Sequence, residues 1–240
     1  MNLIQGINYN FKGFLMGIKN PKLLFLGILR FIVVIFLAII LSGAIFYFHT
    51  QLLNFIWKMP ESGLLLYLWK FVSWIITLML ASISTLIAYF IAQFLFCVFI
   101  MDYMSRKVEN ILTGKEIYPD NTSWATLLLY LIKQEIPRAL IPLILSFVIM
   151  LLGFLTPFGS IIAVISSIFA TTFLAWDNTD LVPARRMYSF KKRFAYFKNN
   201  LMFHIGFGLL FLIPFVNILF LSFAPVGATL YFIEKTELKK

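Results

Sequence analysis

The chain has 240 residues, 61% of them hydrophobic and only 12% charged, about half the charge of an average soluble domain. A soluble domain of this size has no interior large enough for so much apolar surface, so the composition excludes one and indicates a single integral membrane domain, residues 1–240. The formal charge of +10 would suit a nucleic-acid binder, but no nucleic-acid recognition motif accompanies it and membrane topology accounts for it.

In chain order, residues 1–20 come first. "MNLIQGINYNFKGF" lacks the early basic region, compact apolar core and small-residue cleavage site of a signal peptide, so none is expected. Leu3, Ile7, Phe11, Phe14 and Ile18 recur at helical spacing, with Asn2, Gln5, Asn8 and Lys12 largely opposite. The pattern predicts a helix that either lies in the membrane interface or packs on its own protein. Residues 23–48 form the first long apolar stretch and carry one charge, Arg30.

The second long helix is expected over residues 71–113. Phe71 to Met101 is free of charge over 31 residues, about 46 Å of helix against ~30 Å of hydrocarbon. It must tilt or project into water, and "MDYMSRKVENIL" continues its helical pattern until Gly114. The one cysteine, Cys97, rules out an internal disulfide and a cysteine metal cluster, and is expected to pack as a small apolar side chain.

Two further apolar stretches are broken. Residues 139–176 are interrupted by "GFLTPFGS", and residues 199–233 by "IPFVN" and "SFAPVGA". The arm Ala139 to Leu155 has 17 residues and Leu201 to Ile213 only 13, the latter about 20 Å of helix, too short to cross comfortably. Each stretch is therefore expected to be a re-entrant helical hairpin that dips into the bilayer and returns. Charge supports this: with both hairpins returning, 18 lysines and arginines share one side and only Lys58 and Lys70 face the other. A single crossing by each stretch would divide them 12 against 8, which the positive-inside rule disfavours. Four full crossings in place of the hairpins would give the same parity, so arm length alone separates those two.

The carboxyl-terminal third carries a recognisable order of small motifs. A Pro-x-Arg step (Pro183, Arg185) is followed by a basic, Phe-containing run. Phe-Gly, Pro-x-x-Asn (Pro214, Asn217), Ala-Pro and Gly-Ala-Thr then follow in that order. With "DYMSRKVENILTG" and the N-terminal "NPKLLF", this resembles the CysZ-type sulfate permeases of the etoposide-induced superfamily over nearly the whole chain. The resemblance implies an all-α integral membrane protein with two long transmembrane helices and two half-penetrating helical hairpins, assembled as a homo-oligomer. It implies passive, channel-like sulfate uptake across the bacterial inner membrane. Aligned on Pro21, Lys22-Leu23-Leu24 stands where the family often has Gly-Leu-Arg holding sulfate, whereas alignment on Arg30 needs a shift into the helix; Val98-Phe99-Ile100 stands where it usually has Ala-Pro-Phe.

A sulfate dianion needs hydrogen-bond donors in a nearly dry place: helix N-terminal amides and a lysine or arginine. Given the substrate that the resemblance implies, Lys22 and Arg30 are the sulfate-binding candidates. Lys22 follows Pro21 at an expected helix start, where anchoring to lipid is the competing role. Arg30 lies seven residues inside the first apolar stretch, either as a functional charge or snorkelling to the headgroups. Asp102, Arg106 and Glu109 fall at i, i+4 and i+7, hence on one helix face. They form either an ion-pair network that lines or gates a path or a solvated helix face.

Arg185 and Arg186 are expected at the cytoplasmic mouth, attracting anions or acidic lipid heads. "YSFKKRFAYFK" mixes rings and cations as an interfacial anchor does. Asn217 is expected to cap amides freed by Pro214, with a pore role second. His49 and His204 border apolar segments, either relaying protons or simply sitting there.

No zinc motif, serine elbow, phosphate loop or intramembrane carboxylate dyad is present, so no cofactor, metal or catalysis is expected. The expected partners are sulfate or a related oxyanion, membrane lipids and further copies of the chain, not nucleic acid. The competing readings are a non-transporting scaffold or lipid-interacting member of the same superfamily, or a permease for another small anion.

Overall fold

The computed structural model describes residues 2–61, 63–92, 97–115, 129, 133, 141–142, 144–146, 148–149, 151–153, 155–214 and 216–236. Within the expected segments, residues 93–96 and the start of the first hairpin at Ala139 lie outside these described residues. Among those described, every regular element is helical. Among the described residues, four helices are long and apolar enough to cross a membrane. The chain divides into two compact units, residues 28–100 and the remainder.

The larger unit opens with α1 (Leu3–Lys19). Asn20 ends it and begins α2 (Pro21–Tyr47): its amide donates to the Met16 carbonyl at 3.2 Å, and its Oδ1 accepts the amides of Lys22 and Leu23. Pro21 at the first helical position needs no partner for a donor it lacks. After α5 (Val98–Thr113), Gly114 takes φ +70, the left-handed geometry that stops a helix cheaply.

Helical residues between 141 and 155 then lead into a turn at Thr156–Phe158, and α6 runs Gly159–Thr179. Ile141 and Leu145 pack on the cluster of Phe173 and Trp176, so the two arms run back along one another from the Pro157 turn. A short α7 (Leu181–Arg185), α8 (Phe190–Asn199) and α9 (Leu201–Leu209) follow. The last extends through one 3-10 turn to Leu212. Finally, α10 covers Val216–Thr236.

The break between α9 and α10 falls at Ile213–Pro214, whereas Pro225 lies inside an unbroken α10. The arms are unequal. The first arm of the last pair ends at Leu212, but α6 and α10 each have 21 residues, about 32 Å and enough to cross. The arms after the breaks are thus longer than the arms before them, whose lengths of 17 and 13 residues prompt the hairpin expectation.

The predicted apolar face of α1 is not its main packing face. Gly6, Tyr9, Asn10, Gly13 and Gly17 are buried; of the predicted face, Leu3, Ile7 and Phe14 are half-buried, Phe14 against Phe220, while Phe11 and Ile18 stay exposed. The reason is steric. A Cβ on Gly6 would overlap the Phe203 carbonyl and Phe207 amide of α9, and one on Gly13 would overlap the Gly227 backbone of α10. Backbones this close exclude any side chain between them, and Gly227 is on α10 for that contact rather than for a kink. Asn10 Nδ2 donates to the Phe207 carbonyl at 2.7 Å across the same crossing. Tyr9 Oη donates to Glu234 at 2.5 Å; burial, then that carboxylate, push the tyrosine pKa well above its usual value, so it stays a donor.

Around this crossing lies an aromatic core in which the Phe203 and Tyr231 rings stack with centroids 3.6 Å apart. One ring, Phe223, sits against both Gly17 of α1 and Gly27 of α2.

The smaller unit contains α2 from Ile28, α3 (His49–Ile56) and α4 (Leu64–Ala92). Small residues Ala81, Ser84 and Ala88 are buried on α4. Ser42 of α2 meets Thr85 of α4 at 3.0 Å. At the α3 turn Trp69 Nε1 donates to the Trp57 carbonyl at 2.9 Å, and His49 stacks on Trp74. Large apolar side chains such as Ile32, Phe36, Phe71, Trp74 and Leu78 remain exposed, as lipid-facing surfaces do.

Gly13→Val forces apart two touching backbones and is expected to destabilise the protein by at least about 1–3 kcal/mol. Gly43→Ala, where nothing lies within 4 Å of an added Cβ, should leave stability unchanged or slightly raised. Thermal unfolding in detergent compares them; equal midpoints for both variants would remove the close crossing from the account.

Candidate functional site

On α5 the spacing Asp102, Ser105, Arg106, Glu109 puts four polar side chains along one face. Ser105 and Glu109 are fully buried with Met101, Met104 and Val108. A buried carboxylate needs cations, and α7 supplies them. It ends at Arg185, and Met187 turns the chain with φ +54, its amide donating to the Ala184 carbonyl at 2.9 Å. That left-handed turn leaves two consecutive arginines aimed at α5.

Arg185 Nη1 donates to Asp102 Oδ1 at 2.9 Å and to Ser105 Oγ at 3.3 Å, while its Nη2 donates to Glu109. Arg186 Nη2 donates to the other oxygen of Glu109 at 2.6 Å, with its guanidinium above the Phe232 ring. Arg106 Nε lies 3.0 Å from Asp102 Oδ2. The Arg185 side chain is 4% exposed and that of Glu109 0%, against 28% for Arg106.

From α10, Thr229 Oγ1 lies 2.8 Å from both Ser105 Oγ and the Pro225 carbonyl oxygen. The threonine hydroxyl donates to Ser105 Oγ, which with its two lone pairs also accepts from Arg185.

Electrostatically, two carboxylates face three guanidinium groups, so these five side chains together carry one excess positive charge. Arg185 Nε is buried and makes no hydrogen bond among the described residues. Such an arrangement holds a formal charge away from water and can present donors to an anion.

A second buried pair lies outside this cluster. Asp180, at the end of α6, accepts from Arg193 Nε at 2.8 and 2.9 Å and from its Nη2. Beside it His204 Nδ1 is 2.9 Å from the Asn200 carbonyl, which can only accept, and Nε2 is 2.8 Å from Thr179 Oγ1. With both nitrogens engaged and no exposure, His204 is a cross-link between α6 and α9.

The structure thus gathers Asp102, Arg106, Glu109, Arg185 and Arg186 into one cluster. Arg185 and Arg186, expected to face anions or lipid heads at a mouth, are turned inward onto Glu109. Asn217 is half-buried just past the Pro214 turn; its amide donates to the Ile213 carbonyl at 2.8 Å, but its side chain makes no hydrogen bond among the described residues.

Lys22 is exposed at the start of α2, where Asn20 Oδ1 already accepts the first amides. Arg30 is buried rather than snorkelling to water and interacts with the buried Cys97 thiol. Ser105, Thr229, Asp180 and Arg193 are the polar residues that sequence reasoning missed. Ser105 sits between Asp102 and Glu109 on the same face and was findable; the other three are joined by tertiary contacts alone.

A family model described as Sulfate transporter CysZ/Etoposide-induced protein 2.4 matches residues 9–222. No curated protein matches the chain.

Glu109→Gln removes the buried carboxylate that Arg185 and Arg186 share and is expected to cost about 3–5 kcal/mol. Arg106→Gln removes a more exposed i,i+4 pair and should cost no more than ~1 kcal/mol. Denaturation of the two variants in detergent measures the difference, and comparable losses would mean Glu109 is not the centre of the cluster.

Proposed function

The chain belongs to the sulfate transporter CysZ/etoposide-induced protein 2.4 family and is a multi-pass membrane protein, and on that basis we propose that it is a channel-like permease carrying sulfate or a related oxyanion. The observation that carries the reading is the buried cluster on α5, α7 and α10. Ionisable groups buried in a protein interior are expensive to keep, and clusters of them are candidates for function. This cluster gathers three guanidinium groups, the buried Arg185 Nε with no hydrogen bond among the described residues, and two hydroxyls. An anion stripped of water needs such a set. Arg30 is the second donor, buried in the other unit, and Lys22 the exposed one at the start of α2.

In this reading the stretches broken at Pro157 and Pro214 are re-entrant hairpins. Breaks of that kind are tolerated at membrane depth only against protein or a water-lined cavity. The charge balance supports it, placing 18 basic residues on the cytoplasmic side of a bacterial inner membrane. α1, with Ile4, Phe11, Leu15 and Ile18 outward, would rest in the interface. The chain would act as a homo-oligomer.

A scaffold or lipid-interacting role is favoured by a different observation. Arg185 already has Asp102 and Glu109, and Asn20 caps the amides at the head of α2, so the cluster would then serve as a clamp.

Radiolabelled sulfate uptake into proteoliposomes separates the readings. Wild type is expected to take up sulfate, and Arg30→Ala and Arg185→Gln to lose about tenfold or more, since a charged hydrogen bond contributes ~1.5–3 kcal/mol. Absence of sulfate flux from intact oligomers would put the scaffold reading ahead.

Single-cysteine variants Pro157→Cys and Asn217→Cys on a Cys97→Ala background test the hairpins. Labelling is expected only from the side of the C-terminal tail, and access from the opposite side would sink the re-entrant arrangement.

A further inference from the structure

The run from Tyr188 to Lys198 mixes aromatic rings and cations, and α8 separates them. Phe197 is buried against Trp176, with Phe190 and Phe194 packed on the same cluster. Arg193 is turned inward onto Asp180. The outward face is Lys191, Lys192, Ala195, Lys198 and Asn199, all exposed. Three lysines share it, and the helix sequence FKKRFAYFKN contains no acidic residue. The rings are therefore turned toward the protein, Phe197 buried and Phe190 and Phe194 half-buried, and the cations Lys191, Lys192 and Lys198 lie on the exposed face.

We infer that this lysine face of α8 binds the headgroups of anionic phospholipids. Three observations select that occupant. First, α8 lies between two apolar helices of its own unit, beginning shortly after α6, a candidate membrane span, and ending just before α9. Second, the exposed lysine Lys198 is followed within four residues by exposed Leu201 and Met202. That succession, cation then apolar side chain, matches the passage from headgroup to acyl chain and not the surface of an acidic soluble partner.

Third, the buried Arg193–Asp180 pair and the Trp176 stack hold the inner face fixed. The lysines are thus presented from a rigid helix, and little ordering is needed on binding. Lys192 Nζ is also held 3.8 Å above the Tyr188 ring. Arg185 and Arg186 take no part, being committed to Glu109. The inference does not rest on the transport reading.

The test uses the full chain in detergent, with thermal unfolding followed during titration of phosphatidylglycerol or phosphatidylcholine. Phosphatidylglycerol is expected to raise the midpoint and phosphatidylcholine not. The triple variant Lys191→Gln/Lys192→Gln/Lys198→Gln should melt like wild type in phosphatidylcholine but require about 100-fold more phosphatidylglycerol, roughly fivefold per lysine. The corresponding triple arginine variant should respond as wild type does.

An undiminished response of the glutamine variant overturns the inference, as does an equal response to both lipids. Inorganic phosphate reproducing the shift would make the ligand a free anion. Lysine-dependent protection by polyglutamate with none by phosphatidylglycerol would make it an acidic protein. Should the triple variant not fold, Lys191→Gln and Lys198→Gln singly are each expected to weaken the response about fivefold, and no weakening in either overturns the inference.

Discussion

Where α5, α7 and α10 meet in the larger unit, the arrangement serves to bury the guanidinium of Arg185. A cation taken out of water costs several kcal/mol unless carboxylates and hydroxyls replace its hydration. Asp102, Ser105 and Glu109 supply those groups from three positions on α5, and α7 must end within reach of all of them. Because Ser105 is tied to Thr229, the same requirement fixes how α10 lies against α5. Three segments far apart in sequence are thus brought into register by one side chain. Packing of Val182, Phe232 and Ile233 surrounds the junction with apolar side chains and keeps water away.

The coarse architecture was legible because its causes are local. Long charge-free runs specify apolar helices, and Pro157 and Pro214 interrupt two of them where the chain turns. Asp102, Arg106 and Glu109 also share the face that their spacing assigns. What escaped depends on tertiary partners. Arg185 and Arg186 read as surface cations because nothing within their own segment neutralises them; Glu109, which does, lies 76 and 77 residues away.

The face of α1 was misjudged for a related reason. Hydrophobic periodicity weighs side chains, whereas α1 docks through the absence of them at Gly6 and Gly13. Pro225 looked like a further break. Inside α10 its carbonyl accepts the Thr229 hydroxyl, and the helix continues. The aromatic–cation run of α8 shows the same limit in reverse: composition identified an amphipathic element but not which face the protein keeps for itself.

The ring of Phe223 touches Gly17 on one side of the Asn20 joint and Gly27 on the other. It fills the inside of the corner between α1 and α2, as a wedge fills the angle of a bracket. Closing that corner would drive the ring into backbone, and opening it would leave a void the size of a phenyl group. Since the ring is carried by α10, the end of α1 and the first turns of α2, as far as Gly27, are both set against that third helix. Within the larger unit the corner at Asn20 is therefore braced from inside.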